Sequence, residues 1–352
     1  MTKDQLIDFL IENEIPENLD TKEESKIVSE LYKYCWNLTP ESLYRFRNCN
    51  SHSFEALEDD KFLLTKPILF NDPYDSLLFI DREKLINTIS NSENDNNDLI
   101  YKLNNDLEFR ESQVRLLGKD FVDKFSKSNS FKDKEEQVLY KNISTRVYTN
   151  FIDKIIDEAI KSLKQSSLVA CLSERIDSIL MWSHYAHNHQ GFALNYDFKA
   201  RHSIDIGVPG VKGTEFADKK ILPVRYSNER FDATYYAEFH FIENYYKSIG
   251  LEFTVPFFDK LFYYKILLFK SLDWAYEKEW RIIKQTNLNY NDNKPDFDFI
   301  NQIRPKEIYL GSQISKENKE RLIEIGKTKN IDVHQMKLHT FSKDYKLTSE
   351  KI

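Results

Sequence analysis

Only three cysteines, Cys35, Cys49 and Cys171, occur in 352 residues, and none is in a CxxC spacing. A sparse, odd-numbered set predicts buried free thiols in a reducing compartment rather than a disulfide framework. An excess of cations is also missing: 50 Lys and Arg stand against 57 Asp and Glu, a net charge of −7. Broad nonspecific nucleic-acid binding needs clustered cations, so it is not expected, although a local basic pocket remains compatible. Long apolar runs are absent. Stretches such as Ile266–Phe269 are far too short to cross a bilayer, and MTKDQLIDFLIENEIPENLD carries acids through its apolar part, unlike a signal peptide. The expectation is a cytoplasmic chain without a membrane partner. GxGxxG, GxxxxGK[ST] and HExxH are missing too, which removes the Rossmann, P-loop and zincin readings. What is abundant is apolar and aromatic: 41% and 14% of the chain, with 20 Tyr and 25 Phe, enough for a sizeable core.

Residues 4–13 and 22–34 repeat apolar positions at helical spacing and predict a helical hairpin over 1–40 that packs on the body. LYRFR (43–47) and KFLLTKP (61–67) read as strands around a short helix at 52–59. From 81 to 166 the composition turns to Asn, Ser, Lys and Asp with helical periodicity, predicting a helical insertion with a loop at Asn91–Asn97. The body resumes with strand SLVACLSE, helix 177–189 capped by Gly191, strands GFALNYD and 219–227, and interrupted aromatic helix over 234–271. Strands EKEWRIIK and KEIYLG, helix KENKERLIEIGKTK and a final strand DVHQMKLH complete it. Unevenly alternating elements predict an α+β fold: a split or mixed, mostly antiparallel sheet core over 41–80 and 167–345, with flanking helices.

Four stretches concentrate costly residue types: LYRFR (43–47), FNDPYD (70–75), MWSHYAHNHQG (181–191) and YEKEWR (276–281). Strand alternation puts Arg45 and Arg47 on one face, with Tyr44 and Phe46 on the other. The same rule predicts Glu277, Glu279 and Arg281 on one face of the later strand. If the charged faces meet, cations and carboxylates converge in one cleft. A structural ion-pair ladder fits the alternation equally well.

In this order the four motifs resemble a widespread prokaryotic family of unknown function, whose members carry LYRFR, FNDPxD, MWxHYxxxHxG and YExEWR. The likeness covers roughly 43–312 outside the insertion. An early Arg and a late Glu-x-Glu also resemble the ADP-ribosyltransferase pattern. That likeness implies Arg45 or Arg47 as a dinucleotide contact, Glu279 as the catalytic Glu and Glu277 as the acceptor-side Glu. The middle motif departs from the pattern, and Ser173 is its nearest counterpart. The substrate implied is NAD, with a small-molecule nucleotide and a macromolecular acceptor as partners and no resident metal. A fixed carboxylate would stabilise the oxocarbenium-like charge of nicotinamide–ribose cleavage, and Tyr185 or Trp182 would stack on a ring.

His184 and His187 lie three apart on the predicted helix, and His184 between Trp182 and Tyr185 is the candidate for a functional role. His187 and His189 are read near a helix end, favoured by its dipole. Pro73 makes FNDPYD a rigid turn. Its Asn71, Asp72 and Asp75 suit turn and cap roles as well as contacts to a ribose, base or metal. Three functional expectations follow. The first is an NAD-consuming transferase or glycohydrolase serving as a toxin or in antiviral defence, with Glu279, Glu277 and His184 catalytic. The second is a metal-dependent nuclease or phosphoesterase using Asp72, Asp75, His184 and Glu279. The third is a non-enzymatic sensor or binding module.

Overall fold

The computed structural model describes residues 2–92 except 17, 96–126, 149–199 except 151, 155, 159 and 162, 221–238, 259–285, and 296–352 except 302. Thr2 and Asp20 cap helices α1 (Lys3–Glu12) and α2 (Thr21–Leu38) through their side-chain oxygens, each accepting a first-turn N–H. The predicted hairpin forms, and α2 runs four residues past its expected end. Its apolar stripe buries Leu6, Ile7, Leu10 and Ile15 against Val169, Leu222, Leu267 and Ile283 of the body. Asp259 fastens this contact. It accepts the Ile15 N–H at 2.8 Å and pairs with buried Lys265 at 2.8 Å.

The strands are β1 (Leu43–Arg47), β2 (Lys61–Thr65), β3 (Ser167–Ser173), β4 (Phe192–Tyr196), β5 (Ile221–Pro223), β6 (Arg225–Ser227) and β7 (Phe269–Ser271). They continue with β8 (Glu279–Gln285), β9 (Phe297–Asn301), β10 (Glu307–Leu310), β11 (Asp332–Leu338) and β12 (Leu347–Lys351). Ten of them form one mixed, mostly antiparallel sheet in the order β12-β11-β10-β4-β1-β3-β2-β9, with β8 on β3 and β5 on β8. Only β10 and β11 run parallel within it, and the separate β6–β7 pair is also parallel. This is the expected α+β class.

The sheet is split. β3 pairs with β8 along its full length, from Ser167↔Gln285 to Ser173↔Glu279. On its other edge it meets β1 only at Tyr44↔Ser173 and β2 only at Val169↔Thr65. β1 and β2 therefore diverge, and Ala170–Leu172 have a strand partner on one side alone. Register also sorts the faces. Leu43, Phe192, Leu194, Leu168, Ala170, Trp280 and Ile308 pack on one face with α3 (Ser51–Glu58) and the helix Lys316–Lys329. Tyr44, Phe46, Cys171, Ser173, Glu279 and Arg281 belong to the other, as cross-strand partners share a face.

Several expected elements change. The helix predicted over 177–189 spans only Ile179–Tyr185, because His187, Asn188 and His189 all take left-handed φ of 47–67°. Gly191 is not a helix cap. A Cβ there would lie 2.1 Å from the Arg47 carbonyl oxygen, so only glycine admits this approach of β4 to β1. The predicted strand 219–227 divides at Val224 into β5 and β6, which join different sheets. DVHQMKLH is not the last strand, since β12 pairs with it, and β9 was not foreseen. The insertion is helical at Arg82–Ser92, Asn96–Asn105, Leu107–Leu117 and Lys119–Ser126, which makes both ends of the Asn91–Asn97 stretch helical. Of the aromatic segment 234–271, residues 234–238 and Phe262–Leu267 are helical, and 239–258, with Gly250 and Pro256, lie outside the described residues. No described helix is long and apolar enough to cross a membrane.

Candidate functional site

Glu279 begins β8, and its alternation carries Arg281 to the same face. Glu277 was expected on that strand, but it ends the 3-10 helix Leu272–Glu277, and Lys278 turns the chain with φ 45°. The turn still returns the Glu277 side chain to the cluster. Ser173 holds it there: its hydroxyl donates to the Glu277 carbonyl at 2.5 Å and accepts the Arg175 N–H at 3.1 Å.

Three buried carboxylates and two buried cations then interlock. Arg281, fully buried, donates to both oxygens of Asp75 at 2.8 and 2.6 Å and to Glu279 Oε1 at 2.7 Å. Lys270 on β7 donates to Glu277 at 2.5 Å and to Glu279 at 2.9 Å, and lies 3.6 Å from Asp75. Tyr185 donates its hydroxyl to the remaining Glu277 oxygen at 2.6 Å. FNDPYD, MWSHY, YEKEWR and the β7 lysine thus meet in one network.

The two glutamates diverge electrostatically. Burial and the neighbouring Glu279 charge push the Glu277 carboxyl up to about 7. Burial acts on Glu279 too, but Arg281 and Lys270 outweigh it and hold Glu279 below the usual carboxylate range. Against its own burial, Lys270 is kept charged by Glu279, Glu277 and Asp75. Burial and then the Glu277 charge raise the Tyr185 phenol, which stays a donor. With Glu277 ionised, the three carboxylates and two cations leave one net negative charge, and with Glu277 protonated the network is neutral. Removing one partner from such a network costs about 3–5 kcal/mol.

The network walls a cavity of about 360 Å³ that reaches Tyr44, Phe46, Cys171, Tyr185 and, at the sheet split, Arg45, Arg47 and Thr65. That is the small end of the roughly 300–1,000 Å³ of ligand sites. Arg45 and Arg47 belong to the sheet face opposite Glu279, so the expected meeting of charged faces is corrected, although both arginines are among the residues that line the cavity. Arg45 is 7% exposed, and its Nη1 has no hydrogen-bond partner among the described residues. Its guanidinium sits 4.4 Å over the Phe62 ring. A desolvated cation–π contact is worth about 2 kcal/mol, less than the several kcal/mol of burying a charge. Burial, followed by repulsion from Arg47, works against its charge.

The other candidates separate. Asn71 is exposed and lines the cavity. Asp72 is buried, with one oxygen accepting the Tyr74 N–H at 2.8 Å in the turn and the other unpartnered. Trp182 is removed from the site: it is fully buried, donates to the Ile176 carbonyl at 2.6 Å and packs edge-on to Phe46. Leu180 on the same helix is 46% exposed. His184 lies exposed at the mouth, with Trp274 at 6.3 Å and Tyr276 at 6.4 Å between ring centroids. His189 contacts the Ser183 hydroxyl at 3.2 Å, away from the cavity lining. Among the described residues no group of three or more His, Cys, Asp or Glu is arranged as a metal site, and Asp75 and Glu279 are both engaged by Arg281.

Sequence reasoning gave no role to Lys270, Cys171 or Phe62. Lys270 carried a signal, since it and Lys265 flank the apolar run ILLF, and a cation there must be buried with a partner or protrude. Cys171 and Phe62 carried none.

A family model described as "Protein of unknown function (DUF2971)" matches residues 181–282, which include MWSHYAHNHQG and YEKEWR. No curated protein and no solved structure matches the chain.

Proposed function

We propose that the chain is a cytoplasmic NAD-consuming enzyme of ADP-ribosyltransferase or NAD glycohydrolase type, a chemistry suited to a toxin or phage-defence effector. In this reading Glu277, rather than Glu279, moves the proton. The observation that carries it is the pair of neighbouring cavity carboxylates with opposed titration, Glu277 near 7 and Glu279 held low. Such divergence is how a site assigns proton transfer to one carboxylate and fixed charge to the other. As the ribose C1′–N bond breaks, neutral nicotinamide leaves with the bonding electrons and C1′ becomes cationic. The net negative cluster stabilises that charge. Water or an acceptor hydroxyl then bonds to C1′ and gives its proton to ionised Glu277, while the Tyr185 hydroxyl holds the carboxylate in place.

Incubation with NAD, with nicotinamide and ADP-ribose read by mass spectrometry, tests this. The rate is expected to rise with pH through about 7, because the base works as the carboxylate. Glu277→Gln is expected to lower it about 10²–10⁴-fold. No NAD loss, or full turnover by folded Glu277→Gln, would overturn the assignment.

A further inference from the structure

We propose that Arg45 and Arg47 form a receptor for the phosphoryl group of a small ligand, reached from the cavity through the split between β1 and β2. This deepens the nucleotide reading and rests on it for the rest of the ligand, while the subsite stands on its own geometry. Arg45 is more than nine-tenths buried, lines the cavity and has an unpartnered Nη1. Neither arginine has a carboxylate partner among the described residues, whereas the cations across the sheet, Lys270 and Arg281, have three carboxylates between them.

Among the described residues, none near the pair supplies a counter-charge. Cys171 lines the split, but burial and then the Glu279 charge raise its thiol, so it stays neutral. Burial likewise pushes the Tyr196 phenol up to about 12. Phe62 offers only a ring face. The sheet itself leaves the gap: between Thr65↔Val169 and Tyr44↔Ser173, no described strand pairs with that edge of β3. A buried cation built into a cavity without an anion is an arrangement that a bound anion completes.

The chemistry selects phosphoryl over carboxylate. Arg45 and Arg47 are two residues apart on one face and disfavour each other's charge. A monoanionic carboxylate relieves this for one of them. A terminal phosphoryl group carries about −1.5 to −2 near neutral pH over three oxygens, and the pyrophosphate bridge of a dinucleotide carries about −2 over its two phosphoryl groups, so either can serve two guanidinium forks.

Thermal melting and calorimetry of the full chain, using inorganic pyrophosphate and the matched pair AMP and adenosine, test the proposal. Pyrophosphate and AMP are expected to raise the melting temperature, and adenosine is not. Arg45→Met is expected to weaken AMP binding at least tenfold, yet to melt no lower than the parent without ligand, because the lost charge had no partner. If that variant does not fold, half-buried Arg47→Gln carries the same comparison of AMP affinity. Absence of any pyrophosphate or AMP effect on the parent, or unchanged AMP affinity in the folded arginine variants, would overturn the subsite. Pyrophosphate binding without NAD turnover would retain it and remove the catalytic reading. Turnover that is indifferent to both arginines would do the reverse.

Discussion

Glu277 and Glu279 are two positions apart in the chain, and their substitution by Gln is expected to give different phenotypes. Glu279 accepts from both Arg281 and Lys270 in the interior. Glu279→Gln keeps the shape but takes from Arg281 and Lys270 the buried carboxylate they share, so stability should fall by about 3–5 kcal/mol in urea titration. The charge-preserving variant Glu279→Asp should recover part of that loss. Glu277→Gln instead mimics the protonated acid that burial favours. Because the folded carboxyl titrates near 7, above its unfolded range, the folded state holds the extra proton between about 4.5 and 7. This contribution is fully present below 4.5 and is lost as pH rises through 7. Melting temperature should therefore decline across that window in the parent, and Glu277→Gln should remove the decline. A profile unchanged by the substitution would place the titration elsewhere.

At the level of elements, the geometry depends on how closely β1, β4 and the turn after the histidine helix approach one another. A Cβ at Gly191 would meet the Arg47 carbonyl oxygen at 2.1 Å, and one at Gly311 would meet the His189 carbonyl oxygen at 2.1 Å. Backbone cannot swing aside as a side chain does. Gly191→Ala is therefore expected to destabilise by about 1–3 kcal/mol or more. Because the shift falls on Arg47, it should also weaken AMP binding, which calorimetry on the folded variant would read. The position of the histidines belongs to the same scale. Helical spacing placed His184, His187 and His189 on one continuous helix, but three consecutive left-handed residues end it at Tyr185. Local periodicity carries no information about such a turn, which is held by long-range contacts such as Gln313 N–H to the His189 carbonyl.

Across the whole molecule, the N-terminal hairpin and the sheet share one apolar cluster that abuts the charged network. Leu10 is fully buried there with Val169 and Ile283. Leu10→Ala should cost about 2–5 kcal/mol and lower a single cooperative transition. Two separate transitions in a thermal melt would show the hairpin to be an independent unit.

Most elements, and the members of the charged network other than Lys270, were legible in local sequence. Period-2 alternation in LYRFR and EWRII, and apolar spacing in 4–13 and 22–34, are local signals, and burial of one face follows from them directly. The sequence also marked FNDPYD, MWSHY and YEKEWR as stretches whose polar groups need partners. Only the tertiary structure decided which partners they take. Arg45 and Glu279 were read as facing each other, but β3 lies between their strands and the register puts them on opposite faces. Lys270 and Arg281 instead counter-charge Glu279, and Arg45 is left unpaired beneath a gap in the sheet. The physical reason is that alternation fixes which residues of one strand share a face. The neighbour of each strand, and where two strands part, are set by pairing between segments more than a hundred residues apart.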